Sequence, residues 1–375
     1  MNIFFLIIYY IKCGINILLA KIFNLFRKIK EDKKITKFTR KKLSDYLYLV
    51  KLEGTYLEMG SQYGELMKDI LDSDTKKAIN FLNENKSIFF KHMNPRIRKK
   101  INNDTTVMDA CYLMYLEHLY FVPQFYLDFL KGVSDSSEID YKIIVSLNFF
   151  TELAENHCIL YSDFSNNKTL SIRTLDFFSP LFTQSLIIFK PINEYSYLNL
   201  NLSFLASGIT MISENKLILG ESFCDNYLGK NDHIGIPFSI LFHKVMKESK
   251  TYQDAEDIII NAKRMGNLNI SLVDAKNNFG KLYQYCTKSF KSDQSGDNNI
   301  IYNVTINERK KFEQYKYNFK TAEEAIHNML PMVKSGELHI MIYDDNYLYV
   351  SVTTEFVQSY NNDFIKIKFD DLFSD

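Results

Sequence analysis

Tryptophan is absent from the 375 residues, and glycine (13) and proline (6) are scarce. Lysine, asparagine, isoleucine, tyrosine and phenylalanine fill the gap. This is the signature of AT-rich coding, so the Asn-rich and Lys-rich texture carries no functional meaning by itself. Cysteine is thin as well: Cys13, Cys111, Cys158, Cys224 and Cys286 are odd in number and scattered. No C-x-x-C spacing occurs, which argues against a structural zinc site. A disulfide framework does not suit a chain of this length. An excess of one charge is also missing, because 45 basic residues balance 45 acidic ones. Nothing therefore points to nucleic-acid binding by bulk charge. The seven histidines show neither H-x-x-x-H nor H-E-x-x-H spacing, and no G-x-x-x-x-G-K-[ST] loop or G-x-S-x-G elbow is present. No metal and no cofactor are expected.

What is there suffices for a large core. The hydrophobic fraction is 46% and the aromatic fraction 15%, in a length that suits one large domain or two ordinary ones. The N-terminus carries an unbroken apolar run over 3–11, then a basic cluster that includes Lys21, Arg27, Lys28, Lys30, Lys33 and Lys34. A secretory signal should carry its positive charge before the apolar stretch, and this one does not, which leaves a secreted or lumenal location as the less favoured alternative. A spanning helix would put Lys12 near mid-bilayer. A helix lying in the interface, with basic residues on anionic lipid, suits the pattern at least as well. A helix packed on the protein body is the third reading. Residues 3–34 are thus expected to associate with a membrane surface, and the basic flank favours the cytoplasmic side.

Residues 1–45 read as this segment and a charged linker, 46–157 as a mostly helical pro-segment, and 158–375 as the core. Apolar residues recur at helical spacing over 109–130, with Pro123 as the break, and again over 141–153. From Cys158 onward the texture becomes short β-branched and aromatic runs: 159–164, 169–173, 185–189, 195–205, 209–212 and 216–219. Two helices follow, over 237–248 and from Thr251, with Pro237 in a first turn. Strands return at 270–273, 281–285 and 300–306. A helix near 322–330 precedes a hairpin with arms 337–343 and 347–352. This order predicts an α+β fold with sheets covered by helices.

The chemistry centres on one hairpin. Cys158 opens its first arm, Ser165-Asn166-Asn167-Lys168 makes the turn, and the second arm returns Arg173 and Asp176 towards the thiol. A thiol with a cation and a carboxylate nearby is a nucleophilic site in outline. Taken singly, each residue has a plainer reading. Cys158 fits an inert core thiol, Arg173 and Asp176 a strand-end ion pair, and Asn269 a strand-edge residue with Asn267 as its competitor.

Four segments in order carry a resemblance. They are Gly54 to Gly64 with Glu58-Met59-Gly60 inside it; Cys158 with Arg173 and Asp176; Gly208 to Leu217; and Asn267-Leu268-Asn269 running to Asp274-Ala275. Over roughly 50–310 the chain resembles the acyl-CoA:6-aminopenicillanic acid acyltransferase-like proteins, the C45 peptidase family of the N-terminal-nucleophile (Ntn) hydrolases. The resemblance implies a four-layer αββα sandwich. It also implies self-cleavage between His157 and Cys158, after which the freed α-amino group of Cys158 serves the thiol as base. An α-amino group and a thiol titrate at similar pH, ~8 and ~8.5, so proton exchange between them costs little. On this pattern Cys158 is the nucleophile, Arg173 and Asp176 orient the amine, and Asn269 donates to the oxyanion. The substrate would be a small N-acyl amide or acyl thioester with an apolar arm. Choloylglycine-hydrolase-like and acid-ceramidase-like amidases are the neighbouring readings, and an inactive scaffold acting by binding is the contrasting one. The pattern also departs from the family. His157 stands where a small residue is usual, Ile159 and Leu160 replace hydroxylated residues, and Thr174 replaces an asparagine.

Overall fold

The computed structural model describes residues 39–93, 95–153, 158–177, 179–223, 234–287, 290–293, 300–303 and 319–374. The expected N-terminal membrane segment, His157 and Cys224 lie outside the described residues. Fifteen strands are described within these ranges, in two sheets. Sheet A has the order β1 (Thr39–Ser44), β2 (Leu47–Gly54), β5 (Gln184–Pro191), β6 (Tyr197–Leu202), β7 (Thr210–Ser213), β8 (Leu217–Phe223), β9 (Leu268–Asp274), β10 (Phe279–Tyr285) and β11 (Phe290–Asp293). Sheet B has the order β12 (Ile300–Asn303), β3 (Leu160–Asp163), β4 (Leu170–Leu175), β13 (His339–Asp344), β14 (Tyr347–Val352) and β15 (Ile365–Lys368). The β2–β5 pair is parallel, and the other ladders are antiparallel.

Side-chain alternation along the strands explains the layering. Leu186, Ile188, Leu198, Leu200 and Val273 of sheet A share one core with Met341, Tyr343, Leu348 and Val350 of sheet B. Their chain neighbours Ile187, Phe189, Tyr197, Ile270 and Leu272 face the other way, into a core shared with the large helices. On the outer face of sheet B, Ile159, Tyr161, Ile172, Ile340 and Ile342 pack on Ala322, Ala325, Met329 and Leu330. The result is helix, sheet, sheet, helix: the expected αββα sandwich.

The helical layer over sheet A is built from α1 (Tyr56–Leu66), α2 (Lys68–Glu84), α3 (Val107–His118), α4 (Gln124–Ser137), α5 (Tyr141–Phe150), α6 (Phe238–Glu248) and α7 (Tyr252–Asn261). Thr55 and Glu58 form a reciprocal capping box at the start of α1, as Thr106 and Asp109 do for α3 and Thr251 and Asp254 for α7. Gly60 lets α1 lie directly on α4, since a Cβ there would fall 2.1 Å from the Phe129 carbonyl oxygen. The segment from Gly54 to Gly64 thus serves helix packing.

Two expectations need correcting. The stretch read as a charged linker contains β1, and the stretch read as helical opens with β2, which joins β5 in sheet A. β1 is a lysine- and arginine-bearing edge strand, a pattern that protects edges and also reads as linker. Among the described residues no helix is long and apolar enough to cross a membrane.

Candidate active site

The hairpin forms as the sequence indicates. β3 and β4 pair with Leu160 opposite Arg173, and a 3-10 turn over Ser165–Asn167 closes them, with Asn166 and Asn167 at positive φ. Cys158 stands two residues before β3, with a reduced and buried thiol. Two side chains fix the adjoining backbone. The Ser222 hydroxyl donates to the Cys158 carbonyl (3.1 Å), and the Ile159 N–H donates to Thr174 Oγ1 (2.9 Å).

Arg173 lies on the inner face of β4, 3% exposed, and donates through Nη2 to Glu221 Oε1 (2.8 Å) and to the Glu221 carbonyl (3.2 Å). Gly220 makes this reach possible, because a Cβ there would sit 2.9 Å from Arg173 Cγ. Arg173 Nε and Nη1 are buried with no hydrogen-bond partner among the described residues. Burial pushes the Cys158 thiol up, and Arg173 opposes that shift. Burial also pushes up Glu221, again against Arg173. Glu221 was not anticipated from sequence. Its glycine-preceded place in β8 has no motif that marks it, and only the fold brings it 48 positions back to Arg173.

Asp176 is near the thiol, but its carboxylate is turned to the loop before β13. It accepts from the Ser335 hydroxyl, from Gly336 N–H at 2.5 Å and from Glu337 N–H at 2.7 Å. Burial raises it while these donors pull it down. Ser335 also meets Thr174 Oγ1 at 2.5 Å, so Asp176 is linked through Ser335 and Thr174 to the backbone beside Cys158. Asn269 is buried in β9, directly opposite Ser222 in the β8–β9 ladder and hence on the same sheet face. Asn303 of β12 reaches the same point, its Nδ2 donating to Ser222 Oγ at 3.0 Å. Ser222 therefore joins Cys158 to Asn303 and lies beside Asn269.

A third acid stands behind this group. Glu152, just after α5, accepts from the N–H groups of Phe238 and Ser239 at the start of α6, and its Oε1 is sealed without a partner. Burial, together with the Glu221 charge, pushes its carboxyl up to about 8. A surface cleft of about 410 Å³ lies elsewhere, lined by Phe121, Pro123, Ile236, Leu241 and Lys263 among others, and contains none of the expected site residues. Of the aromatic residues in the segment before the cysteine, Phe121 reaches this cleft while Tyr126 and Phe129 are core. Among the described residues no group of three ligating side chains could hold a metal.

No family model matches the chain. Protein dcd1A of Dictyostelium discoideum is 23% identical over 303 residues, covering 68% of each chain. Protein dcd1B of the same organism is 22% identical over 382 residues, covering 88% of this chain and 76% of its own length. Among solved structures, penicillin V acylase from Agrobacterium tumefaciens aligns with a TM-score of 0.37 at 12% identity, over 57% of this chain and 87% of its own. A Caenorhabditis elegans ortholog of N-acylethanolamine-hydrolyzing acid amidase aligns at 0.38 and 11%, over 49% and 92%. Conjugated bile acid hydrolase from Clostridium perfringens, in a mutant form, gives 0.38 and 11%, over 57% and 93%. At these scores the fold assignment rests on the two sheets and their helical layers.

Proposed function

We propose that this protein is a cysteine Ntn amidohydrolase or acyltransferase that becomes active by cutting itself before Cys158. The observation that carries the reading is a buried thiol beside a buried guanidinium with two nitrogens, Nε and Nη1, that find no partner among the described residues. Buried polar groups without partners are rare, and a catalytic site is a standard reason for them. In the first step the Cys158 sulfur attacks the His157 carbonyl, the 157–158 C–N bond breaks, and water hydrolyses the resulting thioester. The products are a carboxyl at 157 and a free amine on Cys158. That amine then takes the thiol proton as the sulfur attacks an N-acyl amide or acyl thioester, and returns it to the departing amine or thiol as the substrate C–N or C–S bond breaks, leaving the acyl group on the sulfur. The acyl group passes next to water or to an amine. Asp176 and Arg173 orient these groups, and Asn269 donates to the oxyanion, a role whose loss typically costs ~10²–10³ in rate. The acid-amidase and bile-acid-hydrolase chemistries named for the compared structures are the neighbouring versions of this reading.

The sealed sulfur and His157 favour a second reading, an inactive scaffold of the same fold. Intact mass separates the two. Wild type is expected to give fragments 1–157 and 158–375, and Cys158→Ala to stay whole. A wild type that stays whole, with a thiol inert to acylating reagents, leaves the scaffold. The apolar and basic stretch over 3–34 is proposed to hold the protein on anionic membrane. The full chain should then sediment with phosphatidylserine vesicles and a chain starting at Lys37 should not; equal sedimentation would remove that role.

A further inference from the structure

Self-cleavage creates a mechanical problem at the nucleophile. Before the cut, Cys158 is held by peptide bonds on both sides. Afterwards it is a chain terminus, and termini fray unless something ties them down. The described residues show what remains. The Ile159 N–H is held by Thr174 Oγ1 and the Ile159 carbonyl by Thr174 N–H, but these grip the residue after the cysteine. The bond on Cys158's own backbone is the one from Ser222 Oγ to its carbonyl.

Ser222 is well placed for this. It is 3% exposed, and it sits on β8 of sheet A, while Cys158 leads into β3 of sheet B. The hydrogen bond therefore ties the nucleophile to the opposite sheet. Ser222 follows Glu221, whose side chain and carbonyl hold Arg173, so one short piece of β8 carries both the partner of the guanidinium and the tether of the thiol residue. The hydroxyl has one proton, and Asn303 decides where it goes. Nδ2 of Asn303 donates to Ser222 Oγ at 3.0 Å, which leaves the serine proton for the Cys158 carbonyl at 3.1 Å. Such a chain polarises its members in a dry site.

We propose that Ser222 is a positioning residue which, oriented by Asn303, holds Cys158 in register as the free N-terminal nucleophile. This rests on the self-processing reading above. Ser222 touches the cysteine backbone and not the reacting sulfur, so its effect falls on how often the thiol and amine are aligned. Removing it lowers kcat about tenfold, the size expected for one buried hydrogen bond. KM is unchanged, because the bond that is lost is to the cysteine backbone and not to the substrate.

The test uses the full chain as wild type, Ser222→Ala, Ser222→Thr, Asn303→Ala and the Ser222→Ala/Asn303→Ala double variant. Cleavage is read by intact mass, turnover with an N-lauroyl aminocoumarin amide, and folding by thermal unfolding. The expected result is a kcat loss in Ser222→Ala at unchanged KM and near-normal cleavage, with recovery in Ser222→Thr. Asn303→Ala should give a similar loss, and the double variant should be no worse than the worse single one, as for two residues acting through one bond. If Ser222→Thr does not fold, the cycle with Asn303→Ala still decides. Wild-type kcat in Ser222→Ala overturns the proposal, as do losses that multiply in the double variant or appear only in KM. A wild type that neither splits nor turns over the amide defeats the enzyme reading itself. A wild type that does both beside an unaffected Ser222→Ala defeats only the role given to Ser222.

Discussion

At the residue scale, the site is defined by acids that outnumber their cation. Glu152, Asp176 and Glu221 all have carboxyls pushed upward by burial, and among the described residues Arg173 forms its ion pair with Glu221. Glu152 gives the clearest consequence. One of its oxygens is sealed without a partner, and Glu221 raises it further while two α6 N–H groups pull the other way. With its folded-state value near 8 against an ordinary 4.5, folding favours the protonated form. That contribution is fully present below about pH 4.5 and is lost as pH rises through 8. Glu152→Gln keeps the shape and removes the titration. Urea midpoints measured at pH 5 and pH 8.5 should therefore fall more in wild type than in Glu152→Gln. Parallel pH profiles would show that this carboxyl does not titrate in the fold. Gly220 illustrates another residue-scale device. Its missing side chain is what lets a long guanidinium pass between the sheets to Glu221.

At the scale of elements, the motifs divide into those that pack helices and those gathered at the candidate site. Gly60 and Gly64 belong to the family-like opening segment, and both lie where α1 meets α4. Added Cβ atoms would fall 2.1 Å from Phe129 O and 2.6 Å from Val133 O. Backbone oxygens cannot step aside cheaply, so Gly60→Ala should destabilise by about 1–3 kcal/mol. A lowered unfolding temperature checks this, and an unchanged one would show that the helices slide apart freely. The same scale explains what was legible. Short runs of β-branched and aromatic residues around a polar turn marked β3 and β4, and the observed arms differ from the expected ones by two residues or fewer. Pro237, and Thr251 followed by acidic residues, marked α6 and α7 at their starts, and the structure adds the Thr251–Asp254 capping box. β1 and β2 were missed for a physical reason. β1 is an exposed, charged edge, and β2 is buried only at intervals before running straight into the Thr55 cap of α1. Within the site, Cys158, Arg173 and Asp176 were readable because one hairpin carries them. Glu221, Ser222 and Asn303 were not, since the pairing of β12 with β3 and the stacking of the sheets bring them in from far along the chain.

At the scale of the molecule, the bond proposed to break lies inside one compact unit that runs from Lys37 to Asp375. The piece before it is no detachable pro-peptide. It supplies β1 and β2 to sheet A, with β2 paired to β5 from Leu47–Gln184 through Gly54–Pro191. It also supplies α1 to α5, whose apolar residues share a core with β5 to β9 and with α6. The Tyr63 hydroxyl donates across the cut to the Ser203 carbonyl at 2.6 Å, and Asn148 Oδ1 accepts from Ala206 N–H at 2.7 Å. Removing that piece would strip one face of sheet A and expose its strand edge at β5, which a protein of this size does not tolerate. Cleavage should therefore convert a single chain into a tight two-chain protein. The two fragments are expected to run apart on denaturing electrophoresis and to elute together in native size exclusion, with one cooperative thermal transition. Fragment 1–157 leaving the column by itself in native buffer would mean that the helical layer and sheet A are held together mainly by the uncut chain. In that case the packing described for α1 and α4 against β5 and β6 would be too weak to survive the proposed processing.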